Sequence, residues 1–467
     1  MKNFIKSFLA FGLATSIEKL LGFILLPIYT RHFNSIEYGV IDMISVIGSI
    51  LIIFGTLQIE TSLQRYYYSY NGLRKNLLIS NVYFLVFFFS FILFLILVFL
   101  SNPLAEWFLG EVEYSSALKI SSFQIIFINL NMLGLVILRY EKQNVKFLIA
   151  IIIKVVTALL FALLFVVYLN LGINGVILGQ TLSLFITTVF ITFSVRNYII
   201  LRVSKIINRD LFQFALPQLP ARIGSILIAQ VNRFFMLGYL TMASIGIYSV
   251  SLKLASSIQI INTAFIMAWR PIMIKLFNVK NNKEIFPSVL PIISLIVFLC
   301  VSLISIFSLE IVKLFTTKEF YPANKYLGGL SLYFALFIVK EVIDIGPVIT
   351  KNTKYLSYNF MWSILINIIL LFALINIWQI EGVILSMVLT NLFLVTITWF
   401  TSNRLYPIHF RIDKFIFALI PALILSMANM VYQTNFLTKV ITCTIVIFFY
   451  GIMLYRNRDI LQMLKKI

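Results

Sequence analysis

Charged residues are scarce in this chain of 467 residues: they occupy 12% of the positions, against about 25% in an ordinary soluble domain. Cysteine and histidine are scarcer, with two of each, whereas apolar residues make up 61%. The two cysteines have no spacing typical of a metal site or a disulfide framework. This composition excludes an ordinary soluble protein and is typical of a chain that lies mostly in lipid.

The apolar residues form fourteen long stretches, each close to the ~20 residues that an α-helix needs to cross a hydrocarbon core of ~30 Å. We therefore predict an all-α polytopic membrane protein with about 14 transmembrane helices. The predicted spans are 8–30, 38–59, 76–100, 116–138, 147–169, 172–195, 213–237, 243–268, 287–308, 326–349, 356–378, 381–402, 412–433 and 437–455. The first follows basic residues as a signal peptide does, but Glu18 and Lys19 interrupt its apolar run, which favours a retained helix.

The net charge of +20 follows the predicted topology rather than a binding surface for nucleic acid. With the N-terminus inside, the inner loops and ends hold 25 lysines and arginines and the outer loops hold five. This is the positive-inside asymmetry of membrane proteins, and anionic lipid headgroups are the partners that it indicates. We predict a multi-pass protein of the bacterial inner membrane with both termini in the cytoplasm, and no nucleic-acid partner.

The chain repeats itself at an offset of 207 residues. The run Ile173-Asn174-Gly175-Val176-Ile177-Leu178 matches Ile380-Glu381-Gly382-Val383-Ile384-Leu385. The same offset superimposes Gly39 on Gly246, Phe108 on Phe315 and Tyr114 on Tyr321. Generic Gly and aromatic use at short outer loops explains the residue types but not the equal spacing. Duplicated bundles are common in transporters.

The repeat predicts two six-helix bundles in the same orientation, with a pair of helices added at the end. We predict an N-terminal bundle over 1–195, a cytoplasmic linker over 196–212, a C-terminal bundle over 213–402, and two further helices with a cytoplasmic tail over 403–467. The substrate path is expected at the interface between the two bundles.

Ionisable groups inside spans cost about 2.5–3.5 kcal/mol each and by default mark a functional surface or an internal pair. Five cations from both predicted bundles are candidates for a basic, water-filled cavity that binds diphosphate or acidic sugars: Lys19, Lys154, Arg222, Arg233 and Lys253. Arg222 and Arg233 are eleven residues apart and share one face of span 7. Pairing with Glu18, Asp42 or backbone carbonyls is the alternative role for these cations.

The carboxylates within spans are the candidates for ion coupling: Glu18, Asp42, Glu341 and Asp344. Asp42 and Lys119 lie near outer span ends, where reaching toward the headgroups is a sufficient explanation. Lys340 and Asp344 are four residues apart, so a structural pair along one helix is an equal alternative for them.

No motif of enzyme chemistry occurs in the sequence. A G-x-x-x-x-G-K-[ST] loop for ATP, a G-x-S-x-G nucleophile motif and an H-E-x-x-H metal motif are all missing. The loops are also too short for a catalytic domain, which disfavours a polymerase of lipid-linked sugars. We predict a protein that is not an enzyme and uses no cofactor or metal.

Several short motifs follow one another along the chain: Leu25-Leu26-Pro27-Ile28-Tyr29-Thr30, Glu37-Tyr38-Gly39, Arg65-Tyr66, Arg139, Phe214-Ala215-Leu216-Pro217-Gln218-Leu219-Pro220, Asn232-Arg233-Phe234, Ile245-Gly246-Ile247-Tyr248-Ser249 and Phe320-Tyr321-Pro322-Ala323. With these motifs, the chain resembles the polysaccharide biosynthesis flippases, the Wzx-type transporters of the multidrug/oligosaccharidyl-lipid/polysaccharide (MOP) superfamily. Each motif is loose, and their order over nearly the whole chain carries the resemblance. The family usually has Asp where this chain has Asn232, so Arg233 is expected to lack an adjacent counter-ion.

The resemblance implies a MATE-like fold and the flipping of undecaprenyl-diphosphate-linked oligosaccharide repeat units, for O-antigen (lipopolysaccharide) or capsule, from the cytoplasmic to the periplasmic leaflet. It implies this lipid-linked substrate as partner, with a polysaccharide polymerase and chain-length proteins as candidates for further partners. Two alternatives stay open. A multidrug exporter calls for an acidic cavity and twelve spans, whereas a peptidoglycan-precursor flippase shares the fourteen spans and the cationic cavity.

Overall fold

The computed structural model describes every residue except 1, 201, 277–281, 351, 353, 409, 433–434 and 458–467. Helices joined by short turns and loops make up this described part of the chain. No strand occurs in these described ranges. The helices are α1 (Lys2–His32), α2 (Ser35–Thr56), α3 (Ile59–Tyr66), α4 (Leu73–Leu109), α5 (Ser115–Tyr140), α6 (Asn144–Ala162), α7 (Gly172–Val195), α8 (Lys205–Ala215), α9 (Leu219–Tyr239), α10 (Met242–Ala255), α11 (Ile258–Leu276), α12 (Asn282–Ile306), α13 (Ser308–Phe315), α14 (Asn324–Ile343), α15 (Ile345–Ile349), α16 (Lys354–Leu405), α17 (Ile412–Val431) and α18 (Phe436–Arg456).

The predicted all-α polytopic membrane fold is confirmed. Nine helices within the described residues are long and apolar enough to cross a membrane, and the pair Met242–Ala255 and Ile258–Ile266, bent by 41°, raises the number to ten. Among the described residues, each of the fourteen predicted spans falls mainly on helical residues. The full count of fourteen crossings stays a prediction, and the predicted cytoplasmic tail after Asn457 lies outside the described residues.

Long helices are interrupted where local chemistry breaks the helical path. Gln379 has φ 48° and ψ −123° and divides the 52 residues of α16 into two arms, each ~37 Å long at ~1.5 Å per residue. This break lies between predicted spans 11 and 12. Before α9, one 3₁₀ turn (Leu216–Gln218) carries Pro217 and separates α8 from α9; proline lacks the amide donor that an α-helix needs.

The chain divides into two compact units, residues 1–237 and 238–467. The first unit contains the predicted linker and α9 as far as Leu237, so the division between the units falls in the last turn of this helix. The two six-helix bundles and the added pair stay a prediction.

Helices within the first unit approach closely and exchange polar contacts. In α2, a β-carbon at Gly55 would collide with the side chains of Asn129 and Ser90, so α2, α4 and α5 meet at a position that only glycine fits. Asn129 Nδ2 donates to Ser90 Oγ over 2.9 Å between α5 and α4. In lipid, small residues and hydrogen bonds of this kind hold helices together because burial from water contributes little there.

Close glycine contacts and polar hydrogen bonds also join the helices of the second unit. Gly346 lies against Ser402, whose hydroxyl accepts a hydrogen bond from the Gly346 amide over 2.9 Å. Asn391 Nδ2 donates to the Tyr333 carbonyl over 2.8 Å, joining α16 to α14. Buried polar side chains therefore set the register of these helices as well.

Candidate functional site

The predicted intramembrane charges of the first unit form acid–base pairs between helices. Lys154 of α6 lies 2.5 Å from Glu18 of α1, measured from Nζ to Oε1. Their side chains are 29% and 40% exposed, so the protein covers this pair only in part. The neighbouring Lys19 is half-buried on α1.

A second pair joins α9 to α2. Arg233 Nε donates to Asp42 Oδ2 over 2.6 Å, and Nη2 lies 3.5 Å from Oδ1. Arg233 Nη1 also donates to Gln230 Oε1 over 2.9 Å, and Gln230 Nε2 reaches Ser49 Oγ at 3.3 Å. Arg233 lacks an adjacent Asp, as expected, but a carboxylate from another helix serves as its counter-ion, which is the pairing that the sequence left open as the alternative.

Asp42, the partner of Arg233, is largely covered by the first unit. Its side chain is 20% exposed and that of Arg233 is 13% exposed. The interpretation of Asp42 as a group reaching toward the headgroups is wrong, since its carboxylate binds the guanidinium through both oxygens. A fork-to-carboxylate contact of this kind is among the stronger polar contacts in proteins.

Arg222 has an acidic neighbour that the sequence did not reveal. Glu60, at the start of α3, is buried and interacts electrostatically with Arg222, which is exposed near the start of α9. Glu60 lies one residue beyond predicted span 2 and was therefore not counted among the intramembrane charges. It follows Leu57 and Gln58, both in the left-handed region with φ 47° and 61°, a costly conformation for residues other than glycine.

The second unit holds its charges differently. Lys340 Nζ lies 2.5 Å from Asp344 Oδ2 and 3.5 Å from Glu341 Oε1, all at the end of α14. The ammonium also lies over the rings of Phe360 at 4.5 Å and Phe337 at 5.5 Å. Lys340 and Asp344 thus form the pair that the sequence offered as one of two alternatives for them.

The fifth candidate cation, Lys253, is exposed in the last turn of α10 in the second unit. Its part in one cavity with the other four cations stays a prediction. Among the described residues, no three His, Cys, Asp or Glu side chains gather in a group that would hold a metal ion.

The first unit thus presents three cations, each beside a carboxylate that a different helix supplies. A phosphate oxygen competes well for such cations, because it carries the charge of a carboxylate and offers more acceptor atoms. The arrangement suits reversible binding of an anion, since each cation keeps a partner when the ligand leaves.

A family model described as polysaccharide biosynthesis protein matches residues 28–325, well over half of the chain. The chain belongs to this family. No curated protein matches it.

Solved structures of transporters share its fold. The lipid II flippase MurJ, in an inward closed conformation, matches with a TM-score of 0.71 and 20% identity over 97% of this chain and 99% of that chain. An inward-facing multidrug resistance MATE transporter of the MOP superfamily matches with a TM-score of 0.67 and 13% identity over 85% of this chain and 97% of that chain.

A MOP-superfamily transporter from Pyrococcus furiosus, described as having a binding pocket of reverse polarity, matches with a TM-score of 0.54 and 14% identity over 86% of this chain and 95% of that chain. At these identities the likenesses show the fold, which is the one that the sequence resemblance implied.

Proposed function

We propose that this member of the polysaccharide biosynthesis family is a flippase that moves a polyprenyl-diphosphate-linked oligosaccharide from the cytoplasmic to the outer leaflet. The family match over residues 28–325 carries this proposal. Undecaprenyl diphosphate is the proposed lipid, and the repeat unit of an O-antigen or a capsule is the proposed glycan. Transport proceeds by alternating access, without bond-making chemistry in the chain.

The acid–base pairs of the first unit supply the chemistry for the diphosphate. Arg233 is held by Asp42 at 2.6 Å and Lys154 by Glu18 at 2.5 Å, so a bound diphosphate takes the place of each carboxylate. A guanidinium contacts two phosphate oxygens at once, which favours a diphosphate over a single negative charge. Lys19, Arg222 and Lys253 are proposed to extend the basic surface.

The displaced carboxylates are the proposed route to ion coupling. Once the diphosphate holds Arg233 and Lys154, Asp42 and Glu18 lose these cations and are available to a coupling ion. Glu341 and Asp344 share Lys340 within one helix, so they take part only if that pair opens.

A second candidate substrate is the peptidoglycan precursor lipid II. The match to MurJ over 97% of this chain favours it, and its diphosphate fits the same cations. The positive-inside asymmetry supports a location in the bacterial inner membrane, with both termini in the cytoplasm.

Flipping by the purified chain in lipid vesicles tests the proposal. Three fluorescent substrates are compared: a polyprenyl-diphosphate oligosaccharide, lipid II and a cationic drug. Dithionite added outside the vesicles bleaches the labelled molecules that reach the outer leaflet. We expect complete bleaching of the oligosaccharide lipid with the protein and about half without it. Bleaching of lipid II alone would shift the assignment to the second candidate, whereas movement of the drug alone would overturn both.

A further inference from the structure

The described residues between α7 and α9, here called the linker segment (196–200 and 202–218), are hydrogen-bonded to α3 and α4 of the first unit. Asn81 of α4 and Ser204 bond in both directions, with Asn81 Nδ2 donating to the Ser204 carbonyl over 2.8 Å and the Ser204 amide donating to Asn81 Oδ1 over 3.0 Å. Ser62 Oγ donates to the Leu211 carbonyl over 2.9 Å. The linker segment is therefore a fixed part of this unit rather than a loose tether.

One face of α8, the helix within the linker segment, is buried. Ile207, Leu211 and Ala215 follow one another at four-residue intervals and pack into an apolar cluster that includes Ile59 and Leu63 of α3. This spacing places them on one side of the helix, so the other side is turned away from the protein.

The outer face of the linker segment combines cations with large apolar side chains. Arg202, Lys205 and Arg209 are all exposed. Between them, Ile206 is 77% exposed and Val203 is 56% exposed. On α8, Lys205, Ile206 and Arg209 project opposite the buried residues at ~100° per residue.

The chemistry of this face points to a lipid surface. Water suits the three cations but not the isoleucine and valine, whereas the boundary between headgroups and acyl chains suits both kinds of side chain. The linker segment leads directly into α9, and the basic asymmetry of the sequence puts it on the cytoplasmic side. Anionic phospholipids give that leaflet its negative surface potential.

We infer that the outer face of the linker segment binds anionic phospholipid headgroups. Arg202, Lys205 and Arg209 contact the phosphates, and Ile206 and Val203 enter the boundary of the acyl chains. Because the linker segment is bonded to α3 and α4, lipid bound there holds the first unit at a fixed depth. The binding is independent of which substrate the protein transports.

Lipid selectivity of the full chain tests this inference. Spin-labelled phosphatidylglycerol and phosphatidylcholine are compared for association with the reconstituted protein. In Arg202→Gln/Lys205→Gln/Arg209→Gln we expect the preference for phosphatidylglycerol to fall about tenfold or more. The matched control is Arg74→Gln/Lys142→Gln/Lys146→Gln, which removes three other exposed cytoplasmic cations. Equal losses in both variants would overturn the inference, because they would reflect net charge alone.

The depth of residue 206 gives a second readout that does not depend on the charge variants. A nitroxide is attached to Ile206→Cys in a Cys300→Ser/Cys443→Ser chain, and its collision rates with oxygen and with a water-soluble nickel chelate are measured. The inference predicts preferential collision with oxygen in vesicles that contain phosphatidylglycerol. A label that meets mainly the nickel chelate in those vesicles would overturn it.

Discussion

The two units hold their intramembrane charges in contrasting ways. In the first unit, Lys154 and Arg233 pair with carboxylates on other helices, at distances of 2.5 and 2.6 Å. In the second, Lys340 pairs with Asp344 four residues along the same helix. A pair between helices opens when one helix moves, whereas a pair within a helix survives any rigid motion of that helix. The second unit also has one pair between helices, Lys439 of α18 with Glu310 of α13 at 2.8 Å, so the contrast applies to the candidate site residues. Among these, the charges proposed to exchange partners during transport belong to the first unit.

The largest effect is expected in the second unit and on stability. Lys340→Met leaves Asp344 and Glu341, whose side chains are 11% and 17% exposed, without the cation between them, and removing one partner of a buried pair costs about 3–5 kcal/mol. In detergent, the unfolding temperature of Lys340→Met should be far below that of the unmodified chain. Lys340→Met/Asp344→Leu should recover most of the loss, and transport per folded molecule should persist. A stable double variant that has lost transport would contradict this prediction, because it would show that the Lys340–Asp344 pair takes part in transport as well.

The next largest effect is expected on transport in the first unit. Arg233→Gln removes the fork that binds Asp42 and is proposed to bind the diphosphate, with an expected loss of about 3 kcal/mol or a hundredfold in flipping rate. Lys119→Gln, an exposed cation at the outer end of α5, is the matched control and should flip at the normal rate. Equal flipping rates for the two variants in vesicles would show that Arg233 does not belong to the substrate-binding site.

A smaller effect is expected at the more exposed pair. Lys154→Gln should slow flipping by about fivefold, because exposed pairs contribute only about 1 kcal/mol or less. Glu18→Gln/Lys154→Gln should be no slower than the single variant, since the two groups act as one pair. A double-mutant cycle of flipping rates measures this, and independent, additive losses would show that the two side chains do not act together.

The smallest effect is expected at an ion pair outside the spans. Burial opposes the charge of Glu141, but Lys75 and the hydroxyls of Tyr67 and Tyr198 outweigh it and hold the pKa of this carboxyl below its usual range. The folded pKa is thus below the unfolded value of about 4.3, so the stabilisation is present above that pH and is lost as pH falls through the folded pKa.

Thermal unfolding at pH 6 and pH 3.5 checks this sign. Glu141→Gln should lower the unfolding temperature at pH 6 by an amount equivalent to about 1 kcal/mol or less, with a smaller difference from the unmodified chain at pH 3.5. Glu106→Gln, an exposed carboxyl on α4, is the control and should change neither value. A larger difference at pH 3.5 than at pH 6 would contradict the lowered pKa.

The sequence predicted the long helices well because the length of an apolar run decides them. The predicted span 172–195 coincides with α7, and the break between spans 11 and 12 falls at Gln379. The helix α8 was assigned to a linker because its apolar positions, Ile207 and Leu211, are interleaved with charges and too few to mark a span. Its helical form follows from packing against α3, which no local pattern shows.

The candidate site was predicted only where spacing within one helix decides the contact. Lys340 and Asp344 are four residues apart, so their pairing followed from helical geometry. Arg233 and Asp42 are 191 residues apart, and Lys154 and Glu18 are 136 apart, so their pairing depends on how whole helices pack. The sequence offered Glu18 and Asp42 as alternative partners of the candidate cations, but it did not indicate which cation pairs with which carboxylate.

We propose that Arg233 releases Asp42 and binds the diphosphate of a lipid-linked oligosaccharide in its place. The most direct measurement compares the flipping of one oligosaccharide on polyprenyl diphosphate and on polyprenyl monophosphate, by the unmodified chain and by Arg233→Gln in the same vesicles. We predict that the unmodified chain prefers the diphosphate and that Arg233→Gln loses this preference. An unmodified chain that flips both lipids equally, or a preference unchanged in Arg233→Gln, would contradict the claim.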